Sequence, residues 1–390
     1  MIDKITKSPH IRLAGFNDAW EQRKLGEVVD VRSGRDYKHL SKGDIPVYGT
    51  GGYMLSVSEA LSYAKDGIGI GRKGTINKPY ILRAPFWTVD TLFYAVPKEK
   101  YDLEFVYSIF KRVNWKQKDE STGVPSLSKT TINEVHVAVP GYGEQVKIGS
   151  FFSQLDHLIT LHQRKLELLK ETKKSLLQKM FPKDGANFPE IRFAGFTDAW
   201  EQRKLGELVK LSSSKRVHRE EYVEKGIPFF RGSEISKLGS SSKLDDVLFI
   251  SQEHYKDLKN KYGVPQTGDI LITAVGTLGN SFVISDNTPF YFKDGNLIWL
   301  SEIKVNSQFL NIYLGNGIGK KRVLESAAGS NQKALTMIKL ENVIVPIPSE
   351  NEQKKVGSFF KELDHLITLH QRELISLKNL NKSLLQQMFI

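Results

Sequence analysis

Residues 144–181 read EQVKIGSFFSQLDHLITLHQRKLELLKETKKSLLQKMF, and residues 352–389 read EQKKVGSFFKELDHLITLHQRELISLKNLNKSLLQQMF. At a constant offset of 208 residues, 27 of the 38 positions are identical, so the stretch is a duplication around which the rest of the chain must be read. In the first copy Ile148, Phe152, Leu155, Ile159, His162, Leu166, Leu169, Lys173, Leu176 and Met180 recur in alternating steps of four and three. The second copy carries Val356, Phe360, Leu363, Ile367, His370, Leu374, Leu377, Asn381, Leu384 and Met388 at the same places. A seam of that period over more than four heptads is a coiled-coil pattern. Each copy is expected to form one helix of roughly 55 Å, at about 1.5 Å per residue, with the two seams paired. An antiparallel pair is preferred, because a parallel one needs the intervening chain to return along the whole helix. His162, His370, Lys173 and Asn381 are the polar seam residues that would fix register. Ser349 and Glu352 have capping-box spacing at the start of the second helix.

A second, shorter repeat precedes each helix at a distance. Residues 11–27, IRLAGFNDAWEQRKLGE, return as residues 191–207, IRFAGFTDAWEQRKLGE, at an offset of 180. The order is therefore short repeat, variable region, long helix, twice over, with the second variable region 28 residues longer. Both variable regions mix short apolar runs with Gly, Pro and Asp punctuation, the pattern of strands and tight turns, and residues 103–115 and 309–324 read as helices. The regions close alike, on VHVAVP and VIVPIP, while their interiors share only scattered pattern. PKDGANFP (182–189) cannot continue a helix. The expected fold is α+β: two globular mixed domains joined by an antiparallel pair of long helices, pseudo-two-fold symmetric and circular, with the chain ends close together. The boundaries are residues 1–143 for the first domain, 144–181 for the first helix and 182–190 for the linker. Residues 191–351 form the second domain and 352–390 the second helix.

Composition narrows the function. Lys and Arg number 56 against 44 Asp and Glu, a net charge of +12 that favours an anionic partner, nucleic acid first. With no cysteine there is no disulfide, thiolate metal site or cysteine nucleophile. The first residues hold no apolar signal core, and no window is long and apolar enough to span a membrane, so the cytoplasm is the expected location.

Catalytic motifs are lacking. Gly69, Gly71 and Gly74 match G-x-G-x-x-G, but TINKPYIL follows where a helix must start, which reads as a glycine-rich hairpin. Asn77-Lys78-Pro79-Tyr80 has the outline of the Asn-Pro-Pro-Tyr motif of amino-methyltransferases, broken by Lys78. There is no phosphate loop and no H-E-x-x-H. His157 and His162 stand five apart and do not form a ligand pair, so no metal site is expected. The turns instead carry mixed basic, polar and aromatic sets. In the first region these are Arg32, Arg35, Tyr37, Lys38, Arg72, Lys73, Thr75, Asn77 and Lys78. In the second they are Lys215, Arg216, His218, Arg219, Arg231, Ser233, Glu234, Ser330, Asn331, Gln332 and Lys333. Arg and Lys can read guanine, Asn and Gln adenine, and Glu can accept from cytosine, so such sets suit base readout. On the helices, Asp156, His157, Thr160, Gln163 and Arg164 are identical to Asp364, His365, Thr368, Gln371 and Arg372 without the seam requiring it, which marks an outer face for a partner bound twice.

With these features together, the chain resembles the specificity subunit of type I restriction–modification enzymes. The resemblance covers essentially the whole chain. It rests on the tandem plan, the helix starts EQVKIGSFFSQLDHLI and EQKKVGSFFKELDHLI, the exits LSKTTINEVHVAVP and LTMIKLENVIVPIP, and GDILITAVGTLGN. It implies two target recognition domains that each read half of an asymmetric double-stranded DNA target, and helices that set the spacer. It also implies two modification subunits that methylate adenine from S-adenosylmethionine, and two restriction subunits driven by ATP with magnesium. All cofactors would then belong to partners and none to this chain. The competing readings are a coiled-coil scaffold with protein-binding end domains, and a self-sufficient methyltransferase using residues 77–80.

Overall fold

The computed structural model describes residues 9–239, 243–329 and 333–389. The long helices run Tyr142–Lys179 and Glu350–Gln387, each starting two residues before the repeat. The chain divides into two compact units, one holding residues up to 163 with those from 372 onward, the other residues 164–371. Each helix is therefore shared: its first half belongs to one unit and its second half to the other. The boundaries drawn from the repeats follow the duplication, whereas packing groups the start of one helix with the end of its partner.

In the first unit, the short repeat supplies strand Glu21–Lys24, which pairs antiparallel with the exit strand His136–Val139. In the second, Glu201–Lys204 pairs with Ile344–Ile347 in the same way. This explains why the ends of each variable region are held constant: entry and exit are one ribbon. Behind it, the first unit has a four-stranded antiparallel sheet in the order Val29–Ser33, Leu92–Pro97, Gly67–Gly71, Tyr80–Leu82. The second unit repeats that order with Lys210–Ser212, Leu297–Ser301, Ile270–Thr273, Ser281–Val283. A smaller sheet follows in each. Lys42–Gly49 lies between Gly52–Val57 and the parallel Trp87–Thr88, and Ile227–Phe230 lies between Leu248–Ile250 and the parallel Tyr291–Phe292. The domain interiors thus share a topology that their sequences hide. The second is longer chiefly because helices Gly232–Gly239 and Gln252–Tyr262 flank strand Leu248–Ile250.

The helix halves pair antiparallel within each unit. Asn381 donates to Asp156 at 2.8 Å in the first, and Lys173 is bonded to Asp364 in the second. In both pairs the residue numbers total 537, so one register serves both units. The end of each helix then plugs a domain core. Phe389 stacks on Phe105 at 5.5 Å and meets Trp20 edge-on at 6.0 Å. Its counterpart Phe181 meets Trp200 edge-on at 6.0 Å and lies against Phe309 at 5.6 Å. A buried ring of this size contributes about 1.5–3 kcal/mol through area removed from water.

The identical Glu-Gln that opens each repeat has a structural reason. Arg12 of the short repeat grips Glu144 with two nitrogens at 2.7 and 2.8 Å, and Arg192 grips Glu352 at 2.7 Å twice. The Glu352 carboxylate that capping-box spacing assigns to the helix start is thus taken by Arg192. Gln145 accepts from the Asp102 N–H and donates to the Pro140 carbonyl, and Gln353 does the same with Asn306 and Pro348. Ile11 N–H donates to the Gln387 carbonyl at 3.0 Å, as Ile191 does to Lys179 at 2.9 Å. The first residue of each short repeat therefore docks on the end of a long helix, the first repeat on the second helix and the second repeat on the first.

Candidate nucleic-acid interface

At one end of each four-stranded sheet, loops distant in sequence are tied together by backbone hydrogen bonds. In the first unit Gly34 N–H donates to Leu92 O, Arg35 to Thr88 O, Arg72 to Thr91 O, Gly74 to Pro125 O and Leu127 to Arg72 O, all at 2.8–2.9 Å. Trp87 Nε1 donates back to Arg35 O at 2.9 Å. Gly34 must be glycine, since a Cβ there would run into the Val89 carbonyl. In the second unit Ala274 donates to Asn296 O and Leu335 to Ala274 O. Ser214 Oγ donates to Phe292 O at 2.7 Å, and Lys215 N–H to the Tyr291 hydroxyl at 3.0 Å. Four loops therefore converge in each unit, and they are topologically the same four.

Most of the basic residues singled out from sequence lie on these loops. Arg35, Lys38, Arg72, Lys73, Asn77 and Lys78 are exposed, with Tyr37 and Thr75 half-buried beside them. The Arg72 guanidinium lies 5.8 Å over the Phe93 ring, which aims it without neutralising it. In the second unit Lys215, Arg216, His218, Arg219 and Lys333 are exposed. Lys215 lies 5.8 Å over the Tyr262 ring, and Arg216 reaches Asp294 at 3.4 Å. Four residues differ from the expectation. Arg32 sits within strand Val29–Ser33, bonded at 2.7 Å to Asp30, whose hydrogen bond raises the guanidinium's pKa. Glu234 is 1% exposed and cannot reach a base. Burial pushes its carboxyl pKa up, but hydrogen bonds from Arg231 and Ser233 outweigh this and hold it below the ordinary range. Arg231 in turn is held by Glu234 at 2.7 Å and by the Asp246 carbonyl at 3.0 Å, while Ser233 bonds Glu234 at 3.0 Å. This trio fixes the start of helix Gly232–Gly239. Ser330, Asn331 and Gln332 lie outside the described residues.

Two features went unread in the sequence. The loop ESTGVPS (120–126) is closed in the first unit by a bond from Glu120 N–H to Ser126 O, at the position of the Ala328–Ala334 bridge in the second. It presents Val124, 67% exposed, between Gly123 and Pro125. The 208-residue offset applied to residues 330–333 would have located it. Lys320 is the other. Its Nζ donates to Asn280 Oδ1 at 3.0 Å under the turn 276–279, and burial lowers its pKa.

The 120–126 loop is closed by Asp119, whose carboxylate accepts from Ser126 N–H at 2.9 Å, Ser121 N–H at 3.0 Å and Ser121 Oγ at 2.8 Å. These bonds, Ser126's first, hold the Asp119 carboxyl below its ordinary value. A depressed carboxylate orders its loop above the ordinary Asp range and loses that contribution as pH falls through the lowered value. Asp119→Ala is expected to abolish hydrogen-exchange protection of the Ser121 and Ser126 amides at pH 7 while leaving the unfolding midpoint in place. Unchanged protection would refute the closure.

The helix faces sort differently from the expectation. Asp156 is bonded to Lys111 at 2.7 Å as well as to Asn381, and Asp364 to Lys173. These two carboxylates thus serve contacts within their units. His157, Gln163, Arg164, His365, Gln371 and Arg372 are exposed; Thr160 is exposed and Thr368 half-buried. Leu158, Leu161, Leu366 and Leu369, 40–47% exposed, complete an apolar-and-basic outer face on each helix.

A family model for the type I restriction modification DNA specificity domain matches the chain twice, at residues 17–171 and 197–379. The chain belongs to this family. Each match opens in a short repeat and runs through one recognition region into a long helix, so the family unit and the duplicated unit coincide. The type I restriction enzyme MjaVIII specificity subunit of Methanocaldococcus jannaschii is 26% identical over 73% of this chain and 68% of its own length. The EcoBI specificity subunit of Escherichia coli is 20% identical over 97% and 87%. Among solved structures, the type I restriction-modification S subunit from M. genitalium superposes with a TM-score of 0.68 at 17% identity, covering 98% of this chain and 99% of that one. Two domains and two long helices are thus the fold of a type I specificity subunit. No helix among the described residues is long and apolar enough to cross a membrane.

Proposed function

We propose that this chain is the DNA-reading, non-catalytic subunit of a type I restriction–modification complex. Each unit reads one half of an asymmetric bipartite target in double-stranded DNA. The long helices set the unread spacer, and their outer faces at His157–Arg164 and His365–Arg372 each dock one modification subunit. Adenine methylation from S-adenosylmethionine, and ATP- and magnesium-dependent translocation and cleavage by two restriction subunits, belong to those partners.

One observation carries this reading. The same four loops converge at an equivalent four-stranded sheet in both units, yet their exposed side chains differ, while the strand order that holds them is the same and the short repeats and long helices are nearly identical. A constant scaffold with interchanged loop chemistry is what reading two unlike sequences requires. The exposed Arg and Lys supply attraction to phosphate and guanine edges. The cytoplasm, where such a complex meets chromosomal DNA, is the expected site of action.

The test is methylation mapping of genomic DNA from a host that carries this chain with its modification partner. The expected outcome is adenine methylation at two short, unlike half-sites separated by a fixed gap of unspecified sequence. A single contiguous motif, or methylation independent of sequence, would overturn the proposal.

A further inference from the structure

The two domains differ most where the central strand of the smaller sheet turns back. In the second domain Phe229 pairs with Leu248, and helix Gly232–Gly239 lies between them. In the first, Val47 pairs with Leu55 and the chain turns within a two-residue loop, Gly49 facing Gly52, whose φ is +107°. The register slips between Val47/Leu55 and Tyr48/Tyr53, leaving Met54 without a partner. Such a bulge turns side chains out of the alternation of a strand. Tyr53 is 62% exposed and Met54 49% exposed, adjacent residues that a regular strand would send to opposite faces.

This tip is fixed to the converging loops. Val89 N–H donates to Tyr48 O at 3.0 Å, and the Tyr80 hydroxyl donates to Gly49 O at 2.6 Å. Met54 Sδ lies over Gly49, 2.7 Å from where a Cβ would stand, so a side chain at 49 would displace the thioether. Tyr53 packs edge-on against Tyr48 at 6.3 Å, and Tyr48 against Tyr80 at 6.0 Å. Tyr37 and Lys38 line the groove beside the tip. An exposed phenol and thioether, rigidly placed at the rim of loops bearing Arg35, Lys38, Arg72 and Lys73, form an apolar contact inside a cationic surface. Cationic surroundings favour a DNA duplex over a protein partner, and on a duplex the apolar feature of a base edge is the thymine methyl in the major groove.

We propose that Tyr53 and Met54 determine part of the first half-site by apolar contact with a thymine methyl. This rests on the reading of the units as half-site readers and adds the residues and the base. The experiment uses the assembled complex with its modification subunits and duplexes carrying the mapped target. Each thymine of both half-sites is replaced in turn by deoxyuridine, which removes only the methyl group. In the parent complex, one replacement in the half-site read by the first domain is expected to weaken binding roughly fourfold, the worth of one buried methyl. In Tyr53→Ala with Met54→Ala that penalty disappears, while penalties for changes in the other half-site persist and show that the complex is intact. Tyr53→Phe with Met54→Leu restores it. If the alanine pair fails to assemble, the single changes at these exposed positions carry the same comparison. A variant with the parent's pattern of penalties at every position would overturn the proposal. A parent complex indifferent to sequence in both half-sites would overturn the half-site reading itself, and this assignment with it.

Discussion

Replacing Arg192 with alanine is expected to destabilise the second unit by about 3–5 kcal/mol, the cost of stranding a buried charge. Glu352 is 1% exposed, and its carboxylate is held by two Arg192 nitrogens at 2.7 Å. The guanidinium is itself only 14% exposed, and its bond to Glu352 raises its pKa. Without it the buried carboxylate is left without its charged partner. Arg12→Ala is expected to do the same in the first unit, where Glu144 is 2% exposed. The pair costs desolvation as well as returning attraction, so Arg192→Met with Glu352→Leu should recover most of the loss. Arg192→Lys should fall between, since an ammonium cannot make the paired contact. Denaturant unfolding of the purified chain measures all four. A single substitution costing less than about 1 kcal/mol, the range of exposed pairs, would show that the short repeat does not anchor the helix start.

This pair also shows how much of the molecule could be read in advance. The helix periodicity and the 208-residue offset were enough to derive two long helices and to prefer an antiparallel pair, because eight of the ten seam positions in each copy are apolar. The short repeat was visible as a repeat, but its purpose was not. Arg12 and Glu144 are 132 residues apart in the chain, and only the fold brings them within 2.7 Å. The likeness of the two domains was hidden for a related reason. Sheet order is held by backbone bonds and buried apolar contacts that many sequences satisfy, so Ile68 and Ile270 occupy one place without the surrounding residues matching. Among the candidate contacts, exposure separated loop from scaffold. Arg35 and Arg72 stand on converging loops, whereas Glu234, chosen for its hydrogen-bonding chemistry, serves a helix start. Charge type could be read in the sequence; which charges are already committed could not. The same holds for Asp156 and Asp364, identical in the repeat because each bonds within its unit. Beside them His157, Leu158, Leu161, Gln163, Arg164 and their counterparts stay exposed on the same helices.

Inserting one heptad into both helices, after Arg164 and after Arg372, is expected to keep both half-sites and lengthen the gap between them. The pairs Asp156–Asn381 and Lys173–Asp364 share one register, and the two insertion points fall between them on both helices. Seven residues added at both points leave the Asp156–Asn381 and Lys173–Asp364 contacts in place. A heptad adds about 10.5 Å of helix at 1.5 Å per residue and drifts only about 20° from a whole number of turns. On B-DNA that length corresponds to about three base pairs, but each base pair also rotates the groove by roughly a tenth of a turn. Translation favours the longer gap and rotation opposes it, so a lengthening of about one to three base pairs is expected. Affinity for the original spacing should fall toward non-specific binding, a loss of about a thousandfold or more. Insertion into one helix alone shifts its seam against the other by two turns, separates Asp156 from Asn381 or Lys173 from Asp364, and should abolish assembly. Methylation mapping in a host carrying the double insertion decides the matter. Altered half-sites with an unchanged gap would mean that the helices do not act as the ruler and that the recognition regions fix the spacing themselves.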